Sequence, residues 1–238
     1  MYNCKKALYS EDYPWRSKVY INSNIVKFLA VIALVLSASI AMAQEGLVPN
    51  GNYSSIGLSL SRTTYANVKC PYIECHEGYG ALGLNVSYQL IPNMIIGLQN
   101  SAGQSNGSNT TIKESQGGLY VGFVVGVGSS FDIGGLVSRV TKKYETCLGN
   151  LCSASEDRGN DVGVFGKWWL NDSKTFNLGL NLDSYAYSTD ATRYSSSALS
   201  VSYTLANHHE FSLSGARLKN TSGTDVNTSS SMSYNYHF

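Results

Sequence analysis

From residue 53 to residue 238 the chain repeats one pattern: apolar or aromatic side chains alternate with small or polar ones. Leu82, Leu84, Val86, Tyr88 and Leu90 are separated by Gly, Asn, Ser and Gln, and Phe176, Leu178, Leu180 and Leu182 by Asn and Gly. A period of two puts the two sets on opposite faces of a strand. Ten such segments are predicted, near 53–62, 79–90, 93–102, 115–127, 130–143, 158–170, 174–187, 193–205, 209–219 and 229–238. Between them, longer connections at 63–78, 103–114, 144–157, 188–192 and 220–228 alternate with short ones at Pro92, Gly128–Ser129, Asn171–Ser173 and Ala206–His208.

The N-terminal region reads differently. Lys27 precedes an apolar run from Phe28 to Ile40, then Ala41, Met42 and Ala43 before Gln44. This is the pattern of a secretory signal peptide, and the run is shorter than the roughly 20 residues that span a bilayer as a helix. Residues 1–43 are therefore expected to be a leader plus a cleaved signal peptide, and 44–238 the folded domain. Of the 17 Lys and Arg, the leader takes Lys5, Lys6, Arg16, Lys18 and Lys27; of the 16 Asp and Glu, it takes Glu11 and Asp12. The remainder has a net charge of −2, which gives no basis for nucleic-acid binding.

Beyond residue 43 no apolar stretch is long enough for a membrane helix, and in lipid only a closed barrel otherwise satisfies the backbone. The last segment carries Met232, Tyr234, Tyr236 and Phe238 on one face. An exported chain with a long-short rhythm and a final aromatic-ended strand resembles the small bacterial outer-membrane β-barrels of Gram-negative cells. That resemblance implies an all-β, antiparallel up-and-down barrel of ten strands, with eight as the alternative. It also implies that Tyr234, Tyr236 and Phe238 act as a signal for the barrel-insertion machinery, with outer-membrane lipid and lipopolysaccharide as further partners. The lipid face is expected to hold Ile56, Leu58 and Leu60, Leu82 to Leu90, Leu119 to Val125, Phe176 to Leu182 and Leu199 to Leu205. A periplasmic aromatic girdle of Tyr88, Trp168, Tyr203, Phe211, Tyr236 and Phe238 is expected beside the short turns.

Register can be proposed from the same pattern. Centring one hairpin on Pro92 pairs Leu90 with Met94, Tyr88 with Ile96 and Val86 with Leu98. Centring another between Cys147 and Cys152 pairs Asp132 with Lys167, Lys142 with Asp157 and Lys143 with Glu156. It also sets Phe131 beside Trp168 and Val137 beside Val162. The first long connection cannot be centred on its cysteines without mixing the faces, so it should be asymmetric or bulged.

Cys70 and Cys75, and Cys147 and Cys152, share one spacing. In an oxidising compartment they are candidates for local disulfides; Cys4 falls in the leader. Asp132, Lys167 and Asp183 are expected in the lumen, as a salt-bridged plug or as a charged constriction. Gly57, Ser59, Ser61, Gly83, Asn85, Ser87, Gly118, Gly122 and Gly126 leave interior space beside them. The ten-stranded omptin proteases place carboxylates and a His at the extracellular mouth, where this chain offers His76, Glu77, Glu156, Asp157, Asp161, Asp183 and Asp190. No spacing reproduces the paired motifs of those enzymes, so a solvated acidic rim is expected. His208, His209 and Glu210 read as a polar turn, and His237 as a lumenal residue bonded to Ser or Asn. The function expected is non-enzymatic, without cofactor or metal: surface loops that contact an extracellular ligand. A narrow porin-like channel is the alternative, and a hydrolase at the mouth comes third.

Overall fold

The computed structural model describes residues 47–70, 74–188 and 193–238; the expected signal peptide lies outside them. Ten strands follow one another: β1 (Ser55–Lys69), β2 (His76–Ile91), β3 (Met94–Asn106), β4 (Thr110–Val127), β5 (Phe131–Leu148), β6 (Leu151–Trp169), β7 (Phe176–Tyr187), β8 (Arg193–Leu205), β9 (His209–Asn220) and β10 (Asp225–His237). Each pairs antiparallel with its sequence neighbours, and β1 pairs with β10, from Ser55 opposite His237 to Tyr65 opposite Asn227, so the sheet closes. The count is ten, not eight.

Closure puts one parity of every strand outside. Following the pairs around the wall, Leu60, Met232, Leu213, Val201, Leu178, Trp168, Phe131 and Val127 form one continuous outward line. Most of these side chains are exposed: Leu60, Met232 and Leu213 are each more than half accessible. In water such a surface would be a liability; in a bilayer it is the lipid-facing belt. The expected girdle residues Tyr88, Trp168, Tyr203, Phe211, Tyr236 and Phe238 are all outward and exposed. They cluster in pairs such as Tyr88 with Phe238 and Phe176 with Tyr203. Closure and belt together make the protein a membrane-spanning β-barrel.

The register agrees with the sequence pattern in most places. Asp132 lies opposite Lys167, Lys142 opposite Asp157, Lys143 opposite Glu156, Phe131 opposite Trp168 and Val137 opposite Val162. Val86 meets Leu98 and Tyr88 meets Ile96, but the pairing then shifts, and Met94 lies opposite Ile91 rather than Leu90. Pro92 has no N–H for the ladder, and the register slips by one residue at this turn. The first hairpin is irregular, as expected, with a shift between Thr64 and Lys69.

The long connections are corrected. Most of 63–78, 103–114 and 144–157 is strand, leaving tips of only 107–109 and 149–150 in the second and third hairpins. On the outer face the belt gives way to cross-strand ion pairs above Leu119, Val137 and Val162: Lys113 with Glu145 at 2.7 Å and Lys143 with Glu156 at 3.3 Å. From Arg139 to Cys147 the wall continues for roughly 20 Å beyond that boundary, at about 3.4 Å per residue and a tilt of about 40°. The surface-exposed part is therefore a stiff collar of hairpins.

An arginine at Leu180, in the middle of the β7 belt, should cost about 2–4 kcal/mol in lipid. An arginine at Asn181, on the lumenal face, should cost less. Reversible denaturant unfolding in phospholipid vesicles measures both.

Candidate functional site

The lumen is divided into a filled periplasmic end and an open extracellular end. The filling is the segment 47–54, which crosses the periplasmic mouth before β1 begins. It is rich in turn-forming residues (Pro49, Asn50, Gly51, Asn52) and has no alternation, so it makes no strand. Its backbone amides find side chains instead. The Asn50 and Gly51 N–H groups donate to the Asp132 carboxylate at 2.6 and 3.0 Å. The Tyr53 hydroxyl and the Trp169 indole N–H donate to the same carboxylate at 2.9 and 3.1 Å. Asp132 is completely buried and carries four donors, the hydrogen bonding that a buried carboxyl group requires. The turns hold the strap from outside. Asn93 donates to the Leu47 carbonyl at 2.6 Å, Asn50 to the Gly128 carbonyl at 3.1 Å, and Lys174 to the Asn50 carbonyl at 3.1 Å. Gly126 faces the Val48 carbonyl so closely that a Cβ there would collide with it.

Above the strap, Lys167 binds Glu210 of β9 at 2.9 Å and lies over the Trp169 ring at 4.5 Å. The register neighbour Asp132 is not its partner, because the strap occupies that carboxylate. Lys142 likewise passes over Asp157 and reaches Glu114 at 3.3 Å. His237 is buried beside Glu210, its Nε2 3.8 Å from the carboxylate, rather than bonded to Ser or Asn. The small interior residues make room for rings: Tyr120 fills the space over Gly97 and Phe165 the space over Gly134. A cavity of about 400 Å³ remains in mid-barrel, ending below at Asn52 and Tyr53 and lined also by Asp161, Asp183 and Tyr185.

The extracellular half is a vestibule of about 650 Å³. Six tyrosines line it: Tyr65, Tyr79, Tyr144, Tyr185, Tyr187 and Tyr194. Charges fix two of the rings, Tyr65 and Tyr144. Glu114, almost fully buried, accepts from the Tyr65 hydroxyl at 2.5 Å and pairs with Lys69 at 3.1 Å. The Lys69 ammonium lies 4.1 Å from the Tyr65 ring centre and 4.7 Å from that of Tyr144. Asp157 completes the wall, accepting from the Ser188 hydroxyl at 3.1 Å, while Arg217, outward on β9 like Leu213, forms a bidentate pair with Asp225 on the outer rim. None of the six tyrosines was marked as functional by the alternation. They sit where apolar periodicity fades, and a lumenal tyrosine and a girdle tyrosine look alike in sequence.

The rim is tied together. Cys70 joins Cys75 in the first hairpin and Cys147 joins Cys152 in the third. Among the described residues the one three-member group of potential metal ligands is Glu145 with these last two cysteines, whose bonded sulfurs offer no thiolate. Glu74 leaves the first hairpin to cap the tip of the second, accepting from the Asn109 and Thr110 amides at 2.9 and 2.8 Å and the Thr110 hydroxyl at 2.7 Å. The Gly149 N–H at the tip of the third hairpin donates to the Asn109 carbonyl at 3.0 Å. His76 is buried, its ring nitrogens 2.8 Å from the Ser105 and Thr110 hydroxyls. Hydroxyls occupy both its nitrogens, so it forms no His–carboxylate pair with Glu77, Glu156 or Asp157; Asp190 lies outside the described residues. His208 and His209 also part company, the first toward the His237 carbonyl and the second toward the Tyr234 hydroxyl.

No family model matches the chain, and no curated protein matches it. Solved structures do. The attachment invasion locus protein Ail of Yersinia pestis is 9% identical over 79% of this chain and 99% of its own, with a TM-score of 0.41. The outer membrane protease OmpT of Escherichia coli is 11% identical over 78% and 94%, with a TM-score of 0.49. The NanC porin is 10% identical over 77% and 100%, with a TM-score of 0.47. At such identities the likeness concerns the barrel architecture alone.

The hydrogen bonds from the Thr110 hydroxyl and the Asn109 amide hold the Glu74 carboxyl down at about 2. A depressed acid stabilises the fold above its unfolded value, and that contribution fades as pH falls through the folded one. The Thr110 amide resonance should thus keep its hydrogen-bonded position in NMR spectra down to about pH 3. It should shift only as pH approaches 2, and in Glu74→Gln it should sit at a different position at every pH.

Proposed function

We propose that this protein is a non-conducting, non-enzymatic surface barrel that captures an extracellular ligand in its tyrosine-lined vestibule. One observation carries the reading: the lumen is closed by its own chain at the periplasmic end and opens into a rigid, ring-lined chamber at the other. A diffusion pore needs a continuous aqueous path, and the mid-barrel cavity ends against Asn52 and Tyr53. A hydrolase of the type expected at the mouth needs a His beside a carboxylate, and His76 is enclosed by hydroxyls. A binding site needs preorganised walls, and the Glu114–Lys69–Lys142 network supplies them. Tyrosine faces interspersed with fixed charges suit a polar ligand that also has flat apolar surfaces, such as a saccharide chain.

The partners expected of an outer-membrane barrel fit the same arrangement. Lipid covers the belt, lipopolysaccharide meets the charged collar at Lys113, Lys143 and Arg158, and the insertion machinery reads the outward aromatic edge of Tyr234, Tyr236 and Phe238.

In planar bilayers the folded protein should give no steady conductance. Asp132→Ala should release the strap and produce discrete openings, because the Asn50 and Gly51 amides lose their acceptor. Steady openings in the unaltered protein would instead make it a channel. On an array of defined saccharides, Tyr187→Ala should reduce retention about tenfold while the barrel stays folded. Equal retention by both proteins would move the binding site outside the vestibule.

A further inference from the structure

The mid-barrel cavity holds more negative charge than its lining balances. Three carboxylates face it, from Asp161, Asp183 and Glu210, against the single lysine Lys167. Lys167 is taken by Glu210 at 2.9 Å, with His237 on the far side of the same carboxylate. Arg217, on the outer face of β9 with Leu213, is held by both oxygens of Asp225. Asp161 and Asp183 are thus left without a cation among the described residues of the cavity.

The two acids are built to sit together. Asp161 is on β6 and Asp183 on β7, where Asp183 pairs with Gly163, two residues further along β6. The Asp183 carboxylate lies over Gly163 so closely that a Cβ there would strike its Oδ1. Any other residue at 163 would push Asp183 away, so the glycine is what lets Asp183 lie one diagonal step from Asp161 on the inner face of the neighbouring strand. Asp161 is 6% exposed. Its Oδ2 accepts from the Ser138 hydroxyl at 3.2 Å, and its Oδ1 is buried without a hydrogen-bond partner. Asn181, on the same face of β7, lines the same cavity.

A buried carboxylate oxygen without a donor is costly, and a second carboxylate beside it adds repulsion. A divalent cation removes both costs at once. The donors at hand are all oxygens, from two carboxylates and a hydroxyl. Oxygen donors select hard cations of the calcium class over zinc or copper. An ionisable pair at membrane depth also calls for a functional partner. We propose that Asp161 and Asp183, assisted by the Ser138 hydroxyl, bind a calcium-class divalent cation inside the barrel. This departs from the sequence expectation of no metal, and it stands whether or not the vestibule above binds a saccharide.

Tyr185 lines the same cavity, so terbium bound there should luminesce on excitation of tyrosine. The test uses the full folded protein in detergent micelles, with heat-modifiable gel migration as the check on folding. Terbium should give a saturable signal that calcium displaces. Asp183→Asn should weaken it at least tenfold, whereas Glu156→Gln, on the outer collar, should leave it within twofold. Asp161→Asn serves equally where Asp183→Asn does not fold, and Ser138→Ala should weaken binding less than either. Equal terbium signals in the unaltered protein and the Asp variants would overturn the proposal, since the ion would then sit on surface acids. A protonated-carboxyl infrared band at neutral pH, insensitive to calcium and lost in Asp161→Asn, would also overturn it, because the pair would then share a proton.

Discussion

Every backbone N–H and C=O in the bilayer must find a partner within the protein, because lipid offers none. In this chain the requirement is met by the seam between β1 and β10, which turns ten hairpin-linked strands into a ring without an edge. Once the ring is closed, the alternation of side chains has only one meaning. One parity faces lipid and the other faces a narrow interior. The belt, the girdle and the division of the lumen are consequences of that closure. So is the reach of Lys167 across the interior to Glu210, a residue distant in sequence and on a non-adjacent strand.

The fold was legible because alternation and closure are local rules repeated ten times. The pairing of Phe131 with Trp168 and of Val137 with Val162 could be read from one assumption about a hairpin centre. The length of the connections could not, and the reason is physical. Apolar periodicity marks where a strand touches lipid, and it stops when the strand enters water. The β4, β5 and β6 strands continue there with Lys113, Lys143 and Glu145 outside and Glu114, Lys142 and Tyr144 inside. The sequence pattern had located the edge of the membrane, and the wall continues past it.

The interior was less legible for a related reason. Charge pairs were inferred between strand neighbours, and the inferred registers hold for Asp132 with Lys167 and for Lys142 with Asp157. The ion pairs nevertheless form elsewhere, because lumenal side chains converge toward an axis and can choose partners across it. The strap gave no periodic signal. Its trace in the sequence is indirect: a run of Pro, Asn and Gly before the first strand, and an aspartate and a tryptophan at the inner periplasmic ends of β5 and β6, the aspartate having been expected to pair with Lys167. The vestibule tyrosines were hidden by their resemblance to girdle residues. Strand parity separates the two sets: Tyr185 and Tyr187 fall on the opposite parity to the lipid-facing Leu178, Leu180 and Leu182.

The strap also bears on how the barrel can be put together. The Ser54 carbonyl accepts from the Phe238 N–H, and Asn52 donates to the Phe238 carbonyl at 3.0 Å. Phe238, just beyond the final strand, therefore docks on the same eight-residue segment that covers Asp132. The seam has its own ladder between β1 and β10, and the strap adds these two contacts at its periplasmic end, so the segment that covers Asp132 also helps hold the ends of the wall together. The chain thereby links the sealing of its wall to the sealing of its base.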